Sequence, residues 1–291
     1  MSVGDWFSTF CNNIRMSSDT VSTIQSRYHQ ITKRINIDYY DSDSDTAHSL
    51  YVGSYGRDTE IHSSDIDVLV QLPYETYAKF NAYSSNGQSA LLQEVKNVLS
   101  KTYSVTNLKG DGQIISLPFT DGINFEVLPA FVNKDSSFTF PNSNNGGSWK
   151  TTDPRKEIAA IKDVNDKCNG NLKRLCRMAR AWKDNNNVNI SGIMIDVLAC
   201  SFISSWGEHD KSFMYYDWMS RDFFKCLSEQ DPAQSLWKVM GSNRYVSRIG
   251  SFESKAKTAY ILACEAIQKE KDYPYTAKSN WREIYGSKFP S

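Results

Sequence analysis

Apolar side chains in the first 36 residues recur at the spacing of an amphipathic helix. They stand at Trp6, Phe7, Phe10, Ile14, Val21, Ile24, Tyr28, Ile31 and Ile35. This spacing predicts helix over residues 3–36, with one buried stripe and an interruption near the polar residues 17–19. The same periodicity returns after Pro154 and predicts helices near 154–168, 171–186, 191–206, 212–228, 233–240 and 251–271.

Between these helical regions the pattern is typical of β-structure. Residues 66–72 form a short apolar run that ends before Pro73, as a buried strand does. Further along, residues 114–119 and 123–128 flank Asp121-Gly122, a dipeptide that suits the positive φ angles of a tight turn. The sequence therefore predicts a β-hairpin here.

A segment rich in Asn, Gly and Ser, residues 141–148, separates the mixed region from the helical one, and we expect it to be mobile. The order of elements predicts an α+β protein. Residues 1–150 would form an N-terminal helix and a catalytic core with a mixed sheet. Residues 151–291 would form a helical domain packed against that core, with the active site in the cleft between them.

Composition and charge exclude several classes of protein. Of the 291 residues, 40% are hydrophobic and 23% are charged, which argues against disordered and fibrous chains. The 33 Lys and Arg residues balance the 33 Asp and Glu residues, so the excess of positive charge typical of proteins that grip long DNA is missing. No apolar run approaches the roughly 18–20 residues of a membrane span, and no secretory leader is recognisable. We expect a cytoplasmic protein without stable binding to long DNA or to membranes.

The cysteines do not form metal-binding pairs. The six of them are scattered without a CxxC motif, and the four histidines lie near none of them in sequence. This spacing argues against a zinc ribbon and predicts free thiols in a reducing compartment.

Three acidic residues stand on segments that are otherwise apolar. Asp65 and Asp67 are two positions apart on the predicted strand, so their side chains project from the same face. Two carboxylates this close repel each other by about 1 kcal/mol in water and by about 4 kcal/mol at an effective dielectric of 20. Glu126 lies on the second strand of the hairpin and would join them if the two strands are neighbours. Oxygen ligands alone favour Mg²⁺, or Mn²⁺, over zinc.

The alternative is a site without a metal, in which Asp65 and Asp67 face solvent from an edge strand and Glu126 pairs with an arginine. The residues upstream favour the metal site. Gly53 allows the backbone to approach a ligand closely, and Ser54 offers a hydroxyl and a backbone N–H to phosphate oxygens. The chain contains no GxxxxGK[ST] motif, so this is not a phosphate-binding loop of that type.

The motifs resemble those of the DNA polymerase β-like nucleotidyltransferases, and within them the bacterial cGAS/DncV-like group, also called SMODS. The superfamily resemblance rests on Gly53-Ser54, on Asp65-x-Asp67 and on a third acidic residue on a later strand. The resemblance to the group rests on residues 125–131 (FEVLPAF), 149–154 (WKTTDP), 181–183 (AWK), 191–196 (SGIMID) and 281–290 (WREIYGSKFP).

The resemblance implies a polymerase β-like core and a Mg²⁺-dependent synthase of a cyclic di- or trinucleotide. Asp65, Asp67 and Glu126 would hold two Mg²⁺ ions, and nucleoside triphosphates would be the substrates. The product would be a second messenger for a downstream effector protein in anti-phage defence. Members of the group more often carry Asp where Glu126 stands, and Asp121 is the alternative third carboxylate.

The resemblance also implies that Arg180, Lys183 and Ser191 bind the triphosphate. Arg180 stands where the group usually has Lys, and it shares one predicted helix face with Lys173 and Arg177. That face could equally be a solvated basic surface, and Ser191 could simply cap the following helix. Two other functions stay open: a polymerase β-like enzyme that modifies RNA or protein, and a non-catalytic nucleotide sensor.

Overall fold

The computed structural model describes residues 2–61, 65–104 and 106–291. His62, Ser63 and Ser64, which belong to the motif between Gly53 and Asp67, lie outside the described residues. The α-helices are α1 (Val3–Asn13), α2 (Ser18–Tyr40), α3 (Gly53–Arg57), α4 (Tyr74–Asn81), α5 (Gly87–Ser100), α6 (Pro154–Lys167), α7 (Asn171–Asn185), α8 (Gly192–Ser205), α9 (Tyr216–Ser228), α10 (Glu253–Lys269) and α11 (Pro274–Tyr285).

The β-strands are β1 (Ser49–Tyr51), β2 (Asp65–Gln71), β3 (Lys109–Asp111), β4 (Ile114–Pro118), β5 (Asn124–Val132), β6 (Phe138–Asn142), β7 (Ser148–Thr152), β8 (Leu236–Lys238) and β9 (Tyr245–Ser247). Two short 3₁₀ helices, Asn144–Gly146 and Phe213–Tyr215, complete the regular structure of the described residues. The mixture of a sheet with many helices confirms the predicted α+β class.

Contacts divide the chain into two units. The helical unit contains Met1–Arg15, Arg57–His62 and Glu157–Ser291, and the sheet unit contains Met16–Gly56 and Ser63–Lys156. This division differs from a single boundary at residue 150, because α1 packs with the later helices. Phe7 and Phe10 of α1 are fully buried in the aromatic core of the helical unit.

The sheet unit is built on a seven-stranded mixed sheet, with β1, β2, β5, β4 and β3 in that order and β6 and β7 continuing from β5. The β2–β5 pair is parallel and the other pairs are antiparallel. The predicted hairpin is confirmed as β4–β5. One face of the sheet is covered by α2 and α5, whose apolar residues pack with alternate residues of β2 and β5.

Alternation along β2 decides which side chains enter that core. Ile66, Val68 and Val70 are fully buried in the layer beneath α2 and α5. Asp65 and Asp67 point to the opposite face, as expected for residues two positions apart on a strand. The sequence pattern therefore located both faces of this strand correctly.

The helical unit packs its helices around a second core. The largest fully buried side chains include Trp182 of α7, Tyr216 and Phe223 of α9, and Trp281 of α11. None of the helices in the described part of the chain combines the length and the apolar character that crossing a bilayer requires.

One sequence prediction of local structure is wrong. Residues 236–238 and 245–247 form the antiparallel pair β8–β9, where a helix was expected over 233–240. Their exposure alternates, with Trp237 and Val246 buried between exposed neighbours, which is the period of a strand. Residues 141–148 contain the β6–β7 turn, across which Asn142 pairs with Ser148, and their mobility stays a prediction.

Candidate active site

Asp67 and Glu126 lie directly opposite each other on two neighbouring strands. The parallel register of β2 and β5 pairs Asp67 with Glu126 and Asp65 with Asn124. The alternation of both strands points these side chains to the face that α2 and α5 leave uncovered. Asp67 and Glu126 are half-buried, whereas Asp65 is exposed. The structure thus brings together the three predicted carboxylates, with Asp65 at the edge of the group.

The position of Glu126 changes its acidity. Partial burial, followed by the negative charges of Asp67 and Asp65, raises the pKa of the Glu126 carboxyl to about 7. A hydrogen bond with Asp67 acts in the same direction. The Glu126 carboxyl is therefore only partly ionised near neutral pH, and a positive charge entering the group would favour its ionised form.

Asn124 supports this cluster from the same face of β5. Its side-chain Nδ2 donates a hydrogen bond of 3.2 Å to Asp65 Oδ1, and its Oδ1 accepts one of 2.8 Å from the Ser116 hydroxyl on β4. Sequence reasoning missed the role of Asn124, although its place two residues before Glu126 put it on the same face. The hydrogen bond holds the exposed Asp65 carboxylate toward β5.

Gly53 lies against Asp67. It begins α3 with a φ of +59°, and a Cβ atom at this position would lie 1.8 Å from Asp67 Oδ2. The backbone N–H of Val52, the preceding residue, donates to the Asp67 carbonyl at 2.9 Å. Only glycine fits here, and Ser54 follows it at once. The backbone at Gly53 thus closely approaches the carboxylate cluster, and its predicted approach to a ligand stays a prediction.

The oxygen-rich character of this cluster fits Mg²⁺. Among the described residues, no three His, Cys, Asp or Glu side chains already stand in a closed metal-binding arrangement. Magnesium in phosphate-transferring sites is usually held by one or two carboxylates together with substrate phosphates and water, so a closed protein cage is not required. The oxygen ligands favour a divalent cation, and so does the repulsion of Glu126 by the charges of Asp67 and Asp65.

Asp121, the alternative third carboxylate, is engaged elsewhere. Both of its oxygens accept hydrogen bonds from Arg27 of α2, at 3.0 and 2.8 Å. These bonds lower the pKa of the Asp121 carboxyl. Within the sheet unit, Glu126 and not Asp121 is the acidic residue opposite Asp67.

Arg180 lies in a buried ion pair rather than on an open surface. It is 7% exposed, and it donates to Asp196 Oδ1 at 2.6 Å, to Asp196 Oδ2 at 3.0 Å and to the Gly192 carbonyl at 3.0 Å. Burial alone would raise the pKa of Asp196, but Arg180 and Arg57 hold it below its usual value. A guanidinium held in this way is not available to a triphosphate, so the predicted role of Arg180 is not carried further.

The same carboxylate also binds the last residue of α3 and the chain that follows it. Arg57 Nε donates to Asp196 Oδ2 at 2.9 Å, and the Thr59 hydroxyl donates to the same oxygen at 3.1 Å. Asp196 is fully buried, and sequence reasoning missed it as a structural centre. The signal available in the sequence was an Asp in an otherwise apolar predicted helix, which indicates a carboxylate that needs a partner.

Lys183 and Ser191 take ordinary structural positions in the helical unit. Lys183 is about a third exposed, with its Nζ 3.4 Å from Asp184. Ser191 caps α8, and its hydroxyl accepts a hydrogen bond of 3.3 Å from the Met194 N–H. The capping role of Ser191 is confirmed, and a triphosphate role for either residue stays a prediction.

Lys173 and Arg177, which share the predicted basic face, both pair with Asp58. Lys173 Nζ lies 3.2 Å from Asp58 Oδ2, and Arg177 NH2 contacts Asp58 Oδ1. Arg177 also donates to the carbonyls of Asp58 and Glu60. Two cations of α7 therefore share one carboxylate of the segment that follows α3.

Comparison with known proteins identifies the family of the chain. Residues 1–165 match the Second Messenger Oligonucleotide or Dinucleotide Synthetase (SMODS) domain. A cyclic AMP-AMP-AMP synthase from Acinetobacter is 19% identical over all of this chain and 86% of its own length.

Two solved structures share the fold. CdnC from E. coli MS115-1 with ATP has a TM-score of 0.73 at 15% identity, covering 99% of this chain and 98% of that one. Vibrio cholerae DncV, a cyclic AMP-GMP synthase in complex with a linear intermediate, has a TM-score of 0.64 at 14% identity, covering 99% of this chain and 87% of that one. The family model covers more than half of the chain, and the fold agrees with it. The chain therefore belongs to the second messenger oligonucleotide or dinucleotide synthetases of the cGAS/DncV-like type and is a nucleotidyltransferase.

Proposed function

We propose that this chain condenses nucleoside triphosphates into a cyclic di- or trinucleotide and releases pyrophosphate. The observation that carries the proposal is the opposition of Asp67 and Glu126 on adjacent strands, with the backbone of Gly53 pressed against Asp67. Carboxylates gathered beside a Gly-Ser turn suit the handling of phosphate groups. Catalysis in such a site consists mostly of positioning and charge neutralisation.

Asp65, Asp67 and Glu126 would hold two Mg²⁺ ions. When bound, Mg²⁺ would assist an acceptor hydroxyl and neutralise the charge of the leaving pyrophosphate. Glu126 supports this role because burial, followed by the charges of Asp67 and Asp65, raises the pKa of its carboxyl, and a bound cation would offset both effects. Its longer side chain, compared with Asp, reaches toward Asp67 across the strand pair.

Other predicted site residues would bind and orient the nucleotide. The Ser54 hydroxyl and the backbone at Gly53 would receive phosphate oxygens, and Lys183 and Ser191 would contribute to triphosphate binding. Arg180 would act indirectly, because its bond to the Gly192 carbonyl fixes the start of α8 beside Ser191. This assigns Arg180 a positioning role in place of phosphate contact.

ATP is the first substrate to test. The Acinetobacter relative is named for a product made of AMP units, and the Vibrio relative for one made of AMP and GMP. The proposed product would act as a second messenger on a downstream effector in bacterial anti-phage signalling, within the cytoplasm.

The test is incubation of the purified protein with ATP, alone and mixed with the other nucleoside triphosphates, in Mg²⁺ or Mn²⁺. We expect a phosphatase-resistant product, identified by mass spectrometry, together with released pyrophosphate. Asp67→Asn should abolish both. EDTA should do the same.

Three results would contradict the proposal in different ways. A linear or RNA-attached product would indicate a polymerase-like enzyme. Nucleotide binding by calorimetry without turnover under either metal would indicate a sensor. Unchanged product formation by Asp67→Asn would remove the carboxylate cluster from the reaction.

A further inference from the structure

A small cavity in the helical unit is lined by three arginines. It has a volume of about 280 Å³ and lies among the end of α1, one face of α7 and the 3₁₀ turn before α9. Its polar lining consists of Ser8, Cys11, Asn12, Arg15, Arg174 and Arg177, and no acidic side chain lines it. Residues from distant parts of the sequence therefore gather positive charge around one space.

Much of this charge is not neutralised by carboxylates. Arg177 pairs with Asp58, but within the described ranges neither Arg15 nor Arg174 forms an ion pair. The Arg174 guanidinium donates only to uncharged groups, the Asn169 carbonyl, Asn171 Oδ1 and the Tyr216 hydroxyl. Half-buried charges are usually paired, so the guanidinium of the half-buried Arg174 calls for an anion, and the exposed Arg15 lines the same cavity.

The same three arginines affect the pKa of the Cys11 thiol. Burial raises its pKa to about 12, while the charges of Arg174, Arg177 and Arg15 all act to lower it. All three guanidiniums therefore lie near this one side chain at the cavity wall. They form a single electropositive site and not three separate surface charges.

Arg174 is fixed in place before any ligand binds. Besides its hydrogen bonds, its guanidinium lies 5.1 Å from the centre of the Phe213 ring. A donor that is already ordered loses little entropy on binding, which favours affinity for an anion of matching shape. Arg15 is exposed just beyond the end of α1 and lines the same cavity.

We propose that this cavity binds a small oxyanion of the oligophosphate class. Guanidinium groups suit phosphate oxygens because they donate two parallel hydrogen bonds. The volume lies just below the range of about 300–1,000 Å³ typical of drug-sized ligand pockets, so it fits a pyrophosphate-sized group better than a whole nucleotide. Two ligands carry such an oligophosphate group, free pyrophosphate and the phosphate tail of a nucleotide.

The experiment measures binding of inorganic pyrophosphate by calorimetry in EDTA, with ATP and inorganic phosphate in separate arms. The protein is the full chain carrying Asp67→Ala, so that the carboxylate cluster cannot take part through a metal. We expect saturable binding of pyrophosphate that weakens as salt rises. Tighter binding of pyrophosphate than of ATP would assign the free anion, and the reverse order would assign the nucleotide tail.

The double variant Arg15→Gln/Arg174→Gln, in the same background, should bind about tenfold more weakly or worse, since each bond between charged groups contributes strongly. The matched control Lys167→Gln/Lys271→Gln removes the same charge outside the cavity and should bind as the parent does. Circular dichroism and thermal melting establish that each variant is folded.

The proposal is overturned if the parent shows no saturable binding, or if the control loses as much affinity as the arginine variant. It is also overturned if a folded arginine variant binds normally. None of these outcomes depends on cyclic product formation, so failure here and failure of the proposed function are distinguishable.

Discussion

A carboxylate oxygen of Asp67 occupies the space that a side chain at position 53 would fill, so the two residues can lie this close only because residue 53 is glycine. A Cβ atom here would lie 1.8 Å from Asp67 Oδ2, and the φ of +59° also disfavours any other residue. The relationship links the two predicted motifs, because the Gly-Ser turn and the Asp-x-Asp strand meet at these two residues. It also explains why a glycine must begin α3.

We therefore expect Gly53→Ala to lower the rate of nucleotide condensation by about a hundredfold or more, since displacement of a catalytic group by about 1 Å can cost this much. Steady-state kinetics with ATP and Mg²⁺ measures it. Gly122→Ala is the matched control, because Gly122 also has a positive φ of 86° but nothing within 4 Å of its added Cβ. An equal loss of activity in both variants would mean that backbone strain, and not contact with Asp67, is responsible.

We expect substitutions in the carboxylate cluster to change the melting temperature differently with and without Mg²⁺. Asp67→Asn or Glu126→Gln removes one of the repelling charges, so the metal-free protein should melt at the same temperature or higher. The rise in melting temperature that Mg²⁺ and a non-hydrolysable ATP analogue give the wild type should be lost. Activity should fall by at least about a hundredfold, because metal stabilisation of the transition state is worth several kcal/mol.

Asp121→Asn is the control for this pair of variants. It changes the other acidic residue of the same hairpin, which binds Arg27 and not the cluster. Its activity should stay within about twofold of wild type, given that exposed ion pairs are worth about 1 kcal/mol or less. A large loss of activity in Asp121→Asn, with Glu126→Gln active, would reverse the assignment of the third carboxylate.

Much of this site was predictable from sequence, and the reason is local periodicity. The alternation along β2 fixed which face Asp65 and Asp67 share, and the hairpin turn fixed the face of Glu126. The parallel pairing of β2 with β5 was not predictable from the pattern, because it joins residues about 60 positions apart. Without that register, Asp67 and Glu126 could not be placed opposite each other.

Arg180 shows where local pattern fails. Its spacing from Arg177 predicted a common basic face, but its partners come from α8 and, through Asp196, from Arg57 at the end of α3. Burial of a cation is decided by these distant partners and not by its own helix. The β8–β9 pair escaped prediction for a similar reason, since three-residue strands carry too little pattern to outweigh helical spacing.

The buried network around Asp196 should be sensitive to loss of this carboxylate. Asp196→Asn leaves Arg180 buried without its ion-pair partner and leaves Arg57 with the longer pair to Glu157 at 3.7 Å, and we expect a loss of about 3–5 kcal/mol in the free energy of unfolding. Urea denaturation measures this loss. Asp222→Asn, which breaks the half-exposed pair with Arg221, should cost no more than about 1 kcal/mol. Similar losses in the two variants would show that burial does not govern the network.

Because of the buried carboxyl of Asp217, at the start of α9, we expect the stability of the helical unit to depend on pH. It is 4% exposed, and its Oδ1 has no hydrogen-bond partner in the described part of the chain. Burial raises the pKa of its carboxyl to about 6, and the charge of Glu270 adds to the shift while Arg221 opposes it.

Because the folded state keeps this proton up to about pH 6 and the unfolded chain releases it near pH 4, the contribution of Asp217 to stability falls as pH rises between these values. Asp217→Asn should therefore stabilise the protein by about 2–3 kcal/mol at pH 7.5 relative to wild type, and the difference should shrink toward zero near pH 4. Thermal or urea unfolding at several pH values checks this, with the exposed Asp163→Asn as the control for a change of surface charge. A constant difference between Asp217→Asn and wild type across the whole pH range would show that the buried carboxyl does not titrate with folding.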